Sequence, residues 1–361
     1  MRSLLLALFL TLCAQAQTNR IISPEILSDG KVTFRLQAPK AGEATFFADW
    51  MDPTNKAAMT KNADGLWTIT VGPVAPGIYI YNFTVDGLNI ADPINPQIKL
   101  RARTSASLLE VPAKTPGLWE LRDVPHGTIE IQYRQAATLN NEPRQAWVYK
   151  PPGYDRSHKK YPVLYLLHGS NDTPAGWTMV GRAHYIMDNL LSEKKAREMI
   201  IVMPFGHAVE FGGPQQSQNN AKMEEYLLKD LAPLIEKNYR VAKGRENRAI
   251  FGLSMGGAQS LEIGLTHLDQ FSAVGAFSSG IPRDFETRFA SLLKNSHDTN
   301  AKLKLLWTGC GVDDPAIRGS RALDEVLKKN QINHTFRELE GRHTYTVWRQ
   351  CFTEVAPQLF K

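Results

Sequence analysis

Apolar positions along the chain follow two different rules, and the change falls near residue 126. Between residues 20 and 111 they form short runs rich in β-branched and aromatic side chains, at 32–36, 44–48, 67–71, 78–85 and 105–111. Turn signals separate the runs: Asp29-Gly30, Asp64-Gly65, Pro76-Gly77 and Asp86-Gly87. That spacing predicts an all-β sandwich. A stretch with Pro112, Pro116, Gly117 and Pro125 then reads as a linker over 112–125. Beyond it, two opening strands (127–133 and 145–150) give way to apolar strands that alternate with helices. Strands are expected at 161–168, 199–203, 249–252, 273–277 and 303–308, with a last one at 334–339. Helices are expected at 184–198, 219–239, 257–266, 285–294 and 319–330. In the second, Leu227, Leu228, Leu231, Leu234 and Ile235 fall on one stripe. Near-continuous apolar strands between helices predict a doubly wound parallel sheet, an α/β domain over 126–361.

Residues 1–16 carry a separate pattern. Arg2 precedes an apolar run from Leu4 to Ala14, and Ala14-Gln15-Ala16 is a small-x-small cleavage signal. The expectation is a secretory leader, removed before Gln17, and a periplasmic or secreted mature protein. The run is too short to span a bilayer. Of three cysteines, Cys310 and Cys351 would remain; a disulfide and two buried thiols are both open.

The 361 residues carry 42 basic and 36 acidic side chains, a net charge of +6. Removing the leader takes one Arg and no acid, leaving +5. Basic residues are scattered in pairs such as Lys159-Lys160, Lys194-Lys195 and Lys328-Lys329, not in a stripe, so nucleic acid is not an expected partner. No metal or cofactor motif is present: no H-E-x-x-H, no P-loop, no G-x-G-x-x-G after a strand.

The chemistry centres on Gly252-Leu253-Ser254-Met255-Gly256-Gly257. It fits G-x-S-x-G between an expected strand and an expected helix, a tight turn that exposes a serine nucleophile. A serine needs a base and an acid, which follow it in chain order in this fold. His343, in the glycine-containing loop after the last expected strand, is the candidate base. The acid is expected after strand 303–308, where Asp313 and Asp314 both stand within reach. Asp314 is the choice, with Asp313 as a turn former or helix cap. Oxyanion donors are expected from the Met255 and Ser170 amides, and His168 is expected to be structural.

At these residues the chain resembles the esterase D-like feruloyl and acetylxylan esterases, an α/β-hydrolase family acting on plant-wall polysaccharide esters. The motifs are Leu167-His168-Gly169 with Trp177 after it, the Ser254 turn, Cys310-Gly311-Val312-Asp313-Asp314, and Gly341-Arg342-His343 with Trp348 five residues on. The resemblance implies Asp314 as the triad acid. Residues 20–111 resemble the immunoglobulin-like module of such esterases and of glycogen-branching-type enzymes. Trp50, Trp67, Tyr79 and Tyr81 are its candidate sugar-stacking residues, with core packing and a scaffold role favoured. Where relatives carry Pro-Asn, this chain has Pro204-Phe205. Trp177, Phe205, Phe211 and Trp348 are therefore candidates for an aromatic substrate wall. The implied function is a secreted serine esterase releasing ferulate from arabinoxylan. Acetylxylan esterase, siderophore esterase and, further off, acyltransferase are the alternatives.

Overall fold

In the computed structural model, residues 20–52, 54–282 and 284–361 are described. The expected leader lies outside them. Among the described residues no helix is long and apolar enough to cross a membrane.

The N-terminal part is built from two facing β-sheets. One has the order Glu25–Ile26, Val32–Gln37, Leu66–Val71, Thr60–Lys61; the other centres on Gly77–Val85, flanked by Ala44–Ala48 and Ser105–Val111. Alternation along Gly77–Val85 decides what each face does. Tyr79, Tyr81 and Phe83 point into the sandwich core with Phe34, Phe46 and Trp67. Trp50 packs against the same cluster, so all four candidate sugar-stacking aromatics serve the core. On the opposite face, Ile78 and Leu108 belong to the core of the second domain. One strand thus supplies two cores, because successive side chains leave a strand on opposite sides.

The second domain holds an eight-stranded sheet. Its strands are β1 (Thr128–Ala136), β2 (Glu142–Lys150), β3 (Val163–Leu167), β4 (Ile200–Pro204), β5 (Arg248–Leu253), β6 (Ala273–Phe277), β7 (Leu305–Gly311) and β8 (Thr335–Leu339). The spatial order is β1-β2-β4-β3-β5-β6-β7-β8. β1 and β2 pair antiparallel, β2 joins β4 antiparallel, and β3 to β8 run parallel. This is an α/β-hydrolase sheet. Every residue of β3, β4 and β6 is buried. Alternate residues feed two cores: Val163, Tyr165 and Leu167 on one face, Leu164 and Leu166 on the other.

Several elements differ from the expected ones. The expected helix 285–294 is broken into Phe285–Arg288 and Ala290–Lys294. A C-terminal helix, Tyr345–Val355, was not expected; it buries Val347, Trp348, Cys351, Phe352 and Val355 against the sheet. The expected linker is docked: Leu118 and Trp119 pack on the hydrolase core, and the Asn189 side-chain amide donates to the Leu118 and Glu120 carbonyls at 2.8 and 3.0 Å. Cys310 and Cys351 are both buried free thiols.

Candidate active site

The turn after β5 sets the geometry. Ser254 sits at φ 52°, ψ −118°, between β5 and the helix Met255–Thr266. A non-glycine residue pays about 1–3 kcal/mol for such a conformation, a cost tolerated where the surroundings over-determine it. The surroundings here are glycines. A Cβ on Gly256 would stand 2.5 Å from the His168 carbonyl oxygen, and one on Gly252 would collide with the Gly256 carbonyl. Without side chains at both places, the helix start can close over the strand end. Ser254 is thereby lifted to the rim.

His343 and Asp314 arrive from the ends of β8 and β7. The two loops are stitched together: the Val312 N–H donates to the Leu339 carbonyl at 2.8 Å, and the Asp313 N–H donates to the Gly341 carbonyl at 3.1 Å. Gly311 makes this approach feasible, since a Cβ there would overlap the Gly341 carbonyl. The structure brings Ser254, His343 and Asp314 together. The Ser254 hydroxyl is 3.0 Å from His343 Nε2, and His343 Nδ1 is 2.9 Å from each Asp314 carboxylate oxygen. Asp314 is 2% exposed, whereas Asp313 faces solvent. Burial works against the charged form of Asp314. The hydrogen bonds from His343 and the Ala316 N–H outweigh it and hold the carboxyl below its ordinary range.

The loop after β3 runs beside the nucleophile: a Cβ on Gly169 would lie 3.3 Å from Ser254 Cβ. Met255 is the first residue of its helix, and Ser170 is exposed on the β3 loop. The two residues stand on the two chain segments that border the serine. His168 is wholly buried and fixes this loop to the one after β4. The Gly206 N–H donates to its Nε2 at 2.9 Å, so the proton lies on Nδ1, which faces the Gly169 carbonyl at 2.8 Å. Burial pushes its pKa down to about 4.

The expected aromatic wall divides. Trp177 is 0% exposed, donates its indole N–H to the Leu167 carbonyl at 3.0 Å, and packs against Phe277, Tyr345 and Phe352. It stands in the core and not on the cleft. Trp348 stands edge-on to His343, ring centres 5.0 Å apart, with its N–H on Ser278 Oγ at 2.9 Å. Phe205 lies beside His168 and under the Arg144 guanidinium. Phe211 stacks with His207 and Arg103, farther along the loop.

Reading residue types along the chain missed the other wall of the site. A cavity of about 240 Å³ next to His343 is lined by Ser170, Asp172 and Trp348 from the hydrolase, and by Asp49, Lys99 and Arg101 from the β-sandwich. Both Asp49 carboxylate oxygens are buried without a hydrogen-bond partner. Burial pushes this carboxyl up to about 7, against the nearby charges of Arg349 and Arg101.

Comparison with known proteins places the chain among esterases. An endo-1,4-β-xylanase/feruloyl esterase of Xylanibacter ruminicola is 31% identical over 346 residues, 94% of this chain. The chain spans only 46% of that relative's own length. A ferulic acid esterase of Anaeromyces mucronatus, solved with ferulic acid, is 26% identical with a TM-score of 0.60, covering 70% of this chain and 98% of its own. The ferric enterobactin esterase of Salmonella typhimurium shares the fold over 93% of this chain and 95% of its own, at TM-score 0.65 and 17% identity. The Esterase family model matches residues 136–359, the segment that carries Ser254, Asp314 and His343, and the chain belongs to that family.

Proposed function

We propose that the protein is a secreted serine carboxylesterase that removes ester side groups from plant-wall polysaccharide, releasing ferulate from arabinoxylan. The observation that carries this reading is the continuous hydrogen-bonded line Ser254 Oγ, His343, Asp314. His343 Nε2 takes the proton as Ser254 Oγ attacks the ester carbonyl, and Asp314 holds the imidazole in the tautomer that leaves Nε2 free. The Met255 and Ser170 amides stabilise the oxyanion. Collapse of the tetrahedral intermediate passes the proton from His343 to the leaving sugar alcohol and leaves a Ser254 acyl-enzyme. Water, deprotonated by the same imidazole, then frees the acid and restores the serine. The feruloyl assignment is supported by the Xylanibacter and Anaeromyces relatives and by Phe205, Phe211 and Trp348 as candidate aromatic contacts. The secreted location rests on the expected leader.

Two measurements test it. A fluorophosphonate is expected to label the wild type and not Ser254→Ala; labelling of both refutes the nucleophile. On a substrate panel, methyl ferulate and feruloylated arabinoxylan are expected to be hydrolysed. Turnover of acetylated xylan alone would move the assignment to an acetyl esterase.

A further inference from the structure

The second oxyanion donor sits on an irregular loop, and an irregular loop needs something to hold it. Asp172, two residues beyond Ser170, is gripped from several sides. One carboxylate oxygen accepts the Thr173 N–H at 2.6 Å, and the other accepts the Tyr345 hydroxyl at 2.8 Å. The remaining partner comes from the other domain. Lys99, on the strand Ile98–Leu100 of the β-sandwich, forms an ion pair with Asp172 in which the two side chains are 4% and 9% exposed. The Lys99 ammonium also donates to the Leu100 carbonyl at 3.0 Å. Between Ser170 and Asp172, Asn171 takes φ 54°, so the loop turns sharply there.

Burying a lysine and an aspartate together is poor value for stability alone; well-packed apolar residues often do as well. What a buried pair does supply is a fixed geometry. We propose that Lys99 is a positioning residue for the oxyanion hole: from the β-sandwich it fixes Asp172, and through Asp172 the Ser170 N–H. This rests on the esterase reading and on Ser170 as oxyanion donor. Losing one oxyanion donor costs roughly 10²–10³ in kcat, and a misplacement of about 1 Å can cost 10²-fold. A loosened loop is thus expected to act on kcat more than on KM. A pair that merely glued the domains would leave the chemistry of each folded molecule unchanged.

The experiment uses the full chain, with active sites titrated by a fluorophosphonate so that rates refer to folded, competent molecules. Kinetics are measured on methyl ferulate, with inhibition by an aryl trifluoromethyl ketone, whose hemiketal oxygen occupies the hole. Lys99→Met is expected to lower kcat per titrated site at least tenfold, with KM within threefold and the inhibitor weakened in proportion to kcat/KM. Lys99→Arg is expected to retain more activity than Lys99→Met, and Tyr345→Phe to lower kcat in the same direction. Glu110→Gln breaks a different inter-domain pair, Arg182–Glu110, and is expected to stay within twofold of the wild type. The proposal is overturned if Lys99→Met retains kcat per titrated site within twofold, or if Glu110→Gln loses as much. Should Lys99→Met fail to fold, Lys99→Met/Asp172→Asn and Tyr345→Phe are judged by the same limits. A wild type without Ser254-dependent turnover overturns the esterase reading as well. Ser254-dependent turnover untouched by Lys99→Met overturns only the positioning role.

Discussion

Asp314 holds one ring nitrogen of His343 with both of its carboxylate oxygens, each 2.9 Å from Nδ1. Only a group that accepts on both oxygens suits this geometry. In Asp314→Asn an amide N–H₂ can turn toward Nδ1 and favour the tautomer with its proton on Nε2, where it blocks the serine. The expected result is a loss of kcat of about 10⁴-fold with little change in unfolding midpoint. Asp313→Asn, on the exposed neighbour, is expected to stay within about twofold. Steady-state kinetics of the two variants decide between the aspartates; the reverse pattern would move the acid to Asp313.

Trp177 gives a prediction about stability rather than substrate. Trp177→Phe empties part of a closed site and leaves the Leu167 carbonyl without its indole partner. The expected cost is about 2 kcal/mol, read as a lower urea midpoint. The ratio of kcat/KM for feruloyl over acetyl esters is expected to hold. A changed ratio with an unchanged midpoint would return Trp177 to the substrate wall.

The pH dependence of stability follows from two buried groups of opposite sign. His168 titrates near 4 when folded, against an ordinary value of 6.5. Between those values the unfolded chain binds more protons, so this contribution is complete above pH 6.5 and is lost as the pH falls toward 4. The shift corresponds to about 3 kcal/mol at most. Asp49 runs the other way. Its folded value of about 7 lies above the ordinary 3.8, so its contribution is present at low pH and is lost as the pH rises from 3.8 to 7. His168→Gln is expected to flatten the acid limb of the stability profile, and Asp49→Asn to raise stability at pH 8 relative to pH 4. Thermal unfolding across pH 4–8 checks both; variant profiles parallel to the wild type would refute the assignments.

The shared core predicts how the two domains unfold. Ile78 belongs to the sandwich by sequence and to the hydrolase by packing. Ile78→Ala is expected to cost about 2–4 kcal/mol and to lower a single calorimetric transition. Two resolved transitions, with only the sandwich shifted, would show that the domains unfold independently.

Much of the architecture was legible because it rests on strong local signals. The apolar runs of β3 to β6 and the G-x-S-x-G turn each reflect backbone needs that few other residues meet. The order of loops along a parallel sheet points to His343 and to Asp313 or Asp314, between which Asp314 is the choice. What escaped is what residue type misreports. Lys99, Asp172 and Arg349 are charged yet buried; only their partners, far away in sequence, explain them. Trp177 reads as a binding aromatic because it follows a functional loop, yet its chain turns inward. The helix Tyr345–Val355 carries a legible signal, since Tyr345, Trp348, Cys351, Phe352 and Val355 lie on one stripe. Residues 112–125 read as spacer from their prolines, while Leu118 and Trp119 anchor them.

The dual membership of the strand Gly77–Val85 bears on whether the two domains can be separated. Part of the second domain's surface is covered by the sandwich: Asp172 and Arg349 are buried, and Arg349 donates to the Ile78 carbonyl at 3.2 Å. Deleting the sandwich would bare the apolar surface packed around Ile78 and Leu108 and strip the buried Asp172 carboxylate of its ammonium. The seam thus works as a one-piece joint: neither side of it is a finished surface, and the second domain depends on the sandwich for groups that it buries but cannot satisfy alone.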